Sequence, residues 1–104
     1  MRVEVVREDG EVIVRPRGDL DATSAPELER AIQGLLDSRE VRRWTFDLGE
    51  VEYLDSSGLG MLVRTLKRLR ERGVEMALAR PQLAVQRVLA LTRLDRIFQI
   101  HGDP

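Results

Sequence analysis

The sequence predicts one α/β domain, with a mixed, mostly parallel β-sheet, an antiparallel hairpin at its N-terminal side, and helices packed on the sheet. Three observations support this prediction. The chain has 104 residues, of which 42% are apolar and 34% charged, which suits one hydrophobic core. Strand-like runs alternate with apolar stripes at helical spacing, in the order β-β-α-β-α-β-α-β. No linker or internal repeat interrupts them, so residues 1–104 are expected to form a single domain.

The first two strands are expected to form a hairpin. Val3 and Val5 precede the turn sequence Glu8-Asp9-Gly10, and Val12-Ile13-Val14 follow it. Asp-Gly between two β-rich runs is a strong short-range hairpin signal. Pro16 cannot donate to a strand ladder, so that end of the second strand should lie at an edge or leave the sheet.

The first helix is predicted from a capping pattern and an apolar stripe. Ser24-Ala25-Pro26-Glu27 resembles a capping box, with Ser24 as the N-cap and Glu27 reaching back to it. The stripe that follows has the spacing of an amphipathic helix; it consists of Leu28, Ala31, Ile32, Leu35 and Leu36. A central strand through Trp44, Phe46 and Leu48 comes next, and an extended connection through Val51, Tyr53 and Leu54 leads to Asp55.

The second half repeats the alternation of helix and strand. A stripe from Leu59 to Leu69 predicts a helix from about Ser57 to Arg72, which ends before Gly73. Val74, Met76 and Leu78 alternate with other residues as a strand. Pro81 opens a third helix, whose predicted apolar residues are Val85, Val88, Leu89 and Leu91. A last apolar patch, at Leu94, Ile97, Phe98 and Ile100, fits either a short strand or a helical turn.

Composition excludes several classes of function. The absence of cysteine and the single histidine, His101, exclude a disulfide scaffold, a cysteine nucleophile, Cys-based zinc sites and any His-pair metal motif. A net charge of −1 provides no cationic field for nucleic acid or an anionic membrane. No segment has the length of a membrane span, and the start lacks the apolar run of a signal peptide, so a cytoplasmic protein is expected.

The charge is distributed unevenly along the chain. Residues 1–55 contain 14 acids and 8 bases, whereas residues 56–104 contain 4 acids and 9 bases. A basic cluster on the second helix consists of Arg64, Lys67, Arg68, Arg70 and Arg72. We interpret this cluster as a solvated helix face with a Lys67–Glu71 pair rather than a nucleic-acid site, because the aromatic residues fall at strand or core positions.

Ser56 is the main candidate for chemistry. It lies at or next to the N-cap of the second helix, where free N–H groups favour an anion. Gly58 and Gly60 each cost roughly 0.5–1 kcal/mol in a helix, which suggests the close approach of another surface or a ligand. Ser56 could also serve only as a helix cap. A hydrolase nucleophile is disfavoured, because His101 is the sole candidate base and no Gly-x-Ser-x-Gly motif is present.

Five segments together resemble a known family. They are Gly18 to Asp21, Ser24 to Leu28, Asp47-Leu48, Tyr53 to Gly60, and Leu91 to Phe98. In order and spacing they resemble a bacterial STAS domain of the anti-anti-sigma factor type. Arg93 departs from the pattern, since many relatives have glycine there, and this puts the end of the third helix in doubt.

This resemblance implies a non-enzymatic anti-sigma factor antagonist, for which we expect no catalytic residue, metal or cofactor. Such a protein, when unphosphorylated, binds a serine-kinase anti-sigma factor of the GHKL type and releases the sigma factor. The kinase phosphorylates the serine directly after the aspartate, here Ser56, and a serine phosphatase reverses the modification. The resemblance also implies a partner-binding set, which consists of Asp21, Asp55, Ser57, Gly58, Leu59, Gly60 and Met61. Asp21 and Asp55 are equally explained, without any partner, as turn carboxylates.

Two other functions remain open at this point. The chain could be a STAS subunit that docks constitutively in a stress-signalling complex or a lipid-transport ATPase complex. It could also be a small nucleotide-binding or hydrolytic domain that uses the helix start at Ser56 as its phosphate site.

Overall fold

A computed structural model describes residues 1–102, which form one five-stranded sheet and three helices. The strands are β1 (Arg2–Glu8), β2 (Glu11–Arg17), β3 (Arg43–Asp47), β4 (Glu75–Ala79) and β5 (Gln99–His101). The helices are α1 (Ser24–Leu36), α2 (Ser56–Glu71) and α3 (Leu83–Leu91), and a 3₁₀ turn covers Leu94–Arg96. The strands lie side by side in chain order; β1 is antiparallel to β2, and the other neighbouring strands are parallel. The predicted fold class and element order are confirmed.

The predicted hairpin is present between β1 and β2. Asp9 and Gly10 have φ angles of 51° and 82°, as a two-residue type I′ turn requires, and Glu8 lies opposite Glu11. The pairing of β2 with β3 ends at Val14 and Phe46. Pro16 therefore lies beyond the part of β2 that pairs with β3, where its missing N–H costs no ladder hydrogen bond.

The helices cover one face of the sheet. Each parallel pair of strands is joined by a helical crossover, and right-handed crossovers between strands in chain order place all the helices on the same side. Alternate strand residues on that side are buried, including Val12, Val14, Phe46 and Leu78. Trp44 packs edge-to-face on Phe46, with ring centroids 5.8 Å apart. The opposite face of the sheet is left without a helix.

For two residues of the predicted apolar stripes, the prediction that they face the core is wrong. Ala31 of α1 is exposed, and Leu91 at the end of α3 is 85% exposed, because each lies on the outer side of its helix. Helix α2 runs from Ser56 to Glu71, one residue earlier than predicted at each end. The last apolar patch contains both the 3₁₀ turn and β5, so each of the two interpretations applies to part of it.

Arg93 ends helix α3 in a conformation that normally favours glycine. Its φ angle is 61°, which is left-handed, and it directly follows Thr92, the C-cap of the helix that ends at Leu91. Arginine in place of the glycine of many relatives therefore leaves the helix end intact, at the cost of some backbone strain.

Opposite charges from the two halves of the chain meet in space. On the helix layer, Arg64 pairs with Glu29 and Arg68 pairs with Asp37, so the basic cluster of α2 contacts acids of α1. Arg72 donates to the carbonyl oxygens of Leu36 and Ser38, which satisfies carbonyls at the end of α1. Among residues 1–102, no ion pair joins Lys67 to Glu71, so that part of the prediction is wrong. Three of the five basic residues, Arg64, Arg68 and Arg72, thus contact α1 or the chain that follows it.

Asp47 is a buried charge at the end of β3. Its side chain is fully buried, and its oxygens accept hydrogen bonds from Arg15 Nε at 2.8 Å, Arg80 Nε at 3.0 Å and Arg80 Nη2 at 2.8 Å. The backbone N–H of Gly49 donates a further bond at 3.0 Å. Burial by itself would raise the pKa of Asp47, but the hydrogen bonds from Arg80 and Arg15 outweigh it, and the pKa is lowered.

The substitution Asp47→Asn should destabilise the fold at neutral pH by about 3 kcal/mol, because it removes a buried partner from two arginines. Since the carboxyl has a lower pKa when folded, its contribution is complete above the ordinary carboxyl pKa of about 4 and is lost as the pH falls through the folded value. Urea unfolding at pH 7 and pH 3 should therefore show the variant and wild type converging in acid. The matched control is Glu75→Gln, at an exposed pair with Arg43, which should change stability by less than about 1 kcal/mol.

Candidate functional site

Two helices begin next to each other at the edge where the parallel strands end. The backbone N–H of Leu20 donates to the carbonyl oxygen of Tyr53 at 2.9 Å, and the N–H of Asp55 donates to the carbonyl of Leu20 at 3.1 Å. These bonds form an isolated parallel bridge between Leu20 and Leu54. The segment that leads into α1 is thereby joined to the segment that leads into α2.

Asp21 organises the start of α1. Its Oδ1 accepts hydrogen bonds from the backbone N–H groups of Thr23 and Ser24, both at 3.0 Å. These bonds, from Ser24 first and then Thr23, lower the pKa of Asp21. The predicted capping box is wrong, because the Ser24 hydroxyl donates to the carbonyl of Asp19 at 2.6 Å, and Glu27 binds the amino group of Met1 instead.

Asp55 is the N-cap of α2. Its backbone is extended, and its Oδ1 accepts the N–H groups of Ser57 at 2.9 Å and Gly58 at 3.1 Å. Ser56 is the first helical residue, so the prediction that it lies at or next to the N-cap is confirmed. The reading of Ser56 as only a helix cap is wrong, since Asp55 performs that role. The Ser56 side chain is exposed, and its hydroxyl makes no hydrogen bond with any group of residues 1–102.

Gly58 is required by packing inside the molecule. A Cβ atom at this position would lie 2.6 Å from both the carbonyl oxygen of Leu20 and Cδ1 of Leu54. The surface that approaches Gly58 is therefore the chain's own Leu20 segment. Gly60 differs, because a Cβ there would meet only the flexible end of Arg64, at 3.1 Å.

The predicted partner-binding residues divide into two groups. Gly58, Leu59 and Met61 are buried, and Met61 is completely so. The side chains of Leu59 and Met61 face the core because they lie on the inner side of α2. Direct contact of these three residues with a partner stays a prediction. The accessible residues, together with one that the sequence analysis missed, define the Ser56 surface: Asp21, Tyr53, Asp55, Ser56, Ser57 and Gly60.

Tyr53 is the residue that the sequence analysis missed. The sequence predicts that it lies in an extended connection, at a strand or core position, but its side chain is 53% exposed. The neighbouring buried residues are Val51 and Leu54, which are three positions apart, so the connection lacks strand alternation. That spacing was the available signal that Tyr53 points outward, two residues before the N-cap of α2.

The arrangement does not support a hydrolytic site that combines Ser56 with His101. His101 lines a hollow of about 320 Å³ on the helix-free face of the sheet, with Glu11, Arg43 and Thr45 among its neighbours. Ser56 instead begins a helix on the other side, so the two do not form a nucleophile and base. Residues 1–102 contain no group of three or more acidic or histidine side chains arranged to hold a metal ion. None of their helices combines the length and apolar character needed to cross a membrane.

The fold and this edge define a STAS domain. The family model described as "STAS domain" matches residues 2–103, and the chain belongs to that family. The chain is 35% identical to the anti-sigma-B factor antagonist of Listeria monocytogenes, over 80% of this chain and 72% of the relative.

Two solved structures have a fold similar to that of this chain. An anti-sigma factor antagonist from Mycobacterium paratuberculosis is 33% identical, with a TM-score of 0.81 over 97% of this chain and 85% of the other. The phosphorylated form of the Bacillus cell fate determinant SpoIIAA is 17% identical, with a TM-score of 0.75 over 95% of this chain and 90% of that one, and it shows the shared fold.

Gly58→Ala should destabilise the protein by about 1–3 kcal/mol, because the added methyl group would overlap a backbone carbonyl that cannot move without breaking the Leu20–Leu54 bridge. Thermal or urea unfolding would measure the loss. Gly34→Ala provides the matched control, since Gly34 lies inside α1 with nothing within 4 Å of an added Cβ. That change should stabilise by roughly 0.5–1 kcal/mol. Equal effects of the two substitutions would contradict the packing role of Gly58.

Proposed function

We propose that this protein is an anti-sigma factor antagonist controlled by phosphorylation of Ser56. In the unphosphorylated state it binds a serine-kinase anti-sigma factor of the GHKL type through the Ser56 surface, and the sigma factor is released. A serine phosphatase restores the binding form. The names of the relatives support the antagonist role, and the accessibility of Ser56 supports the choice of the modified residue.

The main support for this proposal is the position of the Ser56 hydroxyl at the start of α2. Because Asp55 already caps the helix, this hydroxyl is exposed and has no hydrogen-bond partner among residues 1–102. A kinase can reach this hydroxyl without opening the fold. Ser57 is a poorer candidate, since it is half-buried and its N–H is bound to Asp55.

A phosphate on Ser56 would act mainly on the complex. The free N–H groups and the dipole at the helix start favour the phosphate by about 0.3–2 kcal/mol, so the modified protein stays folded. Two phosphate charges and one carboxylate charge about 6 Å apart repel by about 1 kcal/mol in water-like surroundings and by about 5 kcal/mol at an effective dielectric of 20. Since a docked partner excludes water, the penalty grows on binding.

The rest of the Ser56 surface suits protein recognition. Tyr53 presents a large, half-exposed aromatic side chain, a type that is enriched among energetically dominant interface residues. Its backbone carbonyl is held by Leu20, so the residue is ordered before a partner arrives. Asp21 uses Oδ1 to hold α1 and leaves Oδ2 available.

Incubation with ATP and the serine-kinase anti-sigma factors encoded in the same genome should add one phosphate, which mass spectrometry of peptides would locate at Ser56. Ser57→Ala is the matched control and should still be modified, whereas Ser56→Ala should not. Phosphate found at Ser57, or on neither serine with any such kinase, would contradict the proposed switch.

Titration calorimetry with the kinase that modifies the protein should show at least tenfold weaker binding for Ser56→Asp, and wild-type affinity for Ser56→Ala. The free energy of unfolding of both variants should stay within about 0.5 kcal/mol of wild type, because the position is exposed. Unchanged affinity for Ser56→Asp would count against the electrostatic part of the proposal.

Tyr53→Ala should weaken the same complex by about tenfold or more, because it removes an aromatic contact from the surface. Its stability should hardly change, since the side chain is half-exposed. Leu91→Ala is the matched control: Leu91 is also an exposed apolar residue but lies at the end of α3. If both substitutions weaken binding equally, Tyr53 has no specific place in the interface.

A further inference from the structure

The outer edge of β1 is an open strand edge. β1 has seven residues, forms one side of the sheet, and contains no proline or glycine. All its residues except Val3 are exposed, including Val5 at 40% and Val6 at 42%. The opposite edge is protected differently, because β5 has only three residues. Four of the seven β1 residues are charged, which discourages pairing with an unmatched strand. A strand whose charges match those of β1 can still add to this edge.

The hairpin determines which backbone groups of β1 point outward. In a two-residue turn, Glu8 and Glu11 exchange hydrogen bonds across the turn, and hydrogen-bonded pairs then alternate along the ladder. The even-numbered residues of β1 therefore bond to β2. Val3, Val5 and Arg7 direct their N–H and C=O groups away from the sheet, towards any added strand.

Two side chains of β1 have no oppositely charged partner in the part of the chain that the structure describes. Arg2 lies opposite Arg17, and Glu8 lies opposite Glu11, so each faces a like charge on β2. Within residues 1–102 neither Arg2 nor Glu8 belongs to an ion pair, whereas Glu4 pairs with Arg15. Like charges directly opposite one another destabilise a sheet. The two unpaired residues carry opposite signs and lie at opposite ends of the strand.

We propose that the outer edge of β1 binds a second copy of this chain by antiparallel β1–β1 pairing about a two-fold axis at Val5. In this register Val5 lies opposite Val5 of the second copy, and Val3 of each copy lies opposite Arg7 of the other. Arg2 of each copy lies opposite Glu8 of the other, which gives two such pairs. The outward N–H and C=O groups of Val3, Val5 and Arg7 fall in hydrogen-bonded pairs. The two sheets become one ten-stranded sheet with all helices on one face.

Charge selects this register over its neighbours. Strands in such a dimer shift by steps that keep hydrogen-bonded residues opposite one another. A shift in one direction brings Glu4 opposite its own copy, and a shift in the other brings Glu4 opposite Glu8. Only the register centred on Val5 pairs the whole of β1 and puts opposite charges at both ends.

The dimer leaves the Ser56 surface free. β2 and β3 separate β1 from the segment that leads into α2, and the antiparallel arrangement places the two Ser56 surfaces at opposite ends of the joined sheet. Self-association and the proposed switch therefore use different surfaces, so an experiment can disprove either proposal without disproving the other. An interface formed by one strand edge is small, so the dimer is weak and depends on concentration and salt.

Sedimentation equilibrium of the full chain at low salt, up to millimolar concentration, tests the proposal with charge-reversal variants. Arg2→Glu and Glu8→Arg should each weaken the dimer about tenfold, because attractive pairs become repulsive. The double variant should dimerise like wild type. An equimolar mixture of the two single variants should form heterodimers, since each variant then faces its opposite charge.

Matched controls separate the register from net charge and folding. Arg30→Glu and Glu71→Arg make the same charge changes on exposed helix positions and should leave dimerisation unchanged. Val5→Pro removes the central outward N–H and should abolish the dimer, and urea unfolding would confirm that each variant is folded. A chain that stays monomeric at millimolar concentration, or a dimer insensitive to both charge reversals, would overturn the proposal.

Discussion

The short parallel bridge between Leu20 and Leu54 is the contact on which the functional edge depends. It joins two segments that are far apart in the chain and brings the starts of α1 and α2 together. Gly58 permits this contact, because any side chain there would overlap the carbonyl of Leu20. The exposed position of Ser56 follows, since Asp55 occupies the capping site and leaves the serine on the first turn, facing solvent.

Aspartates, and not Ser56, hold the starts of both helices. Asp55 holds the helix start through Ser57 and Gly58, while Asp21 performs a similar task for α1. Neither helix relies on the Ser56 hydroxyl for its stability. A charge added at Ser56 should therefore leave the fold largely unchanged. At the end of β3, the buried Asp47 is held by ion pairs with Arg15 and Arg80.

Much of the fold was predictable from local patterns. The Asp9-Gly10 turn, the spacing of Leu62, Leu66 and Leu69, and the strand alternation around Phe46 each depend on a few neighbouring residues, and all were confirmed. The errors lie where a competing partner decides the outcome. Ser24 has the residue type of an N-cap, but the nearby carbonyl of Asp19 binds its hydroxyl. Likewise Tyr53 looks like a core residue in sequence and lies outside in the structure.

The sequence by itself determined the element order, the absence of cysteine chemistry, and Ser56 as the residue beside a helix start, because turn chemistry, composition and helical periodicity are local properties. Only the tertiary structure decided which residues around Ser56 face solvent, why Gly58 is glycine, and how the two oppositely charged halves pair across the helix layer. Those outcomes depend on contacts between segments such as Leu20 and Leu54, whose separation along the chain hides them from any local pattern.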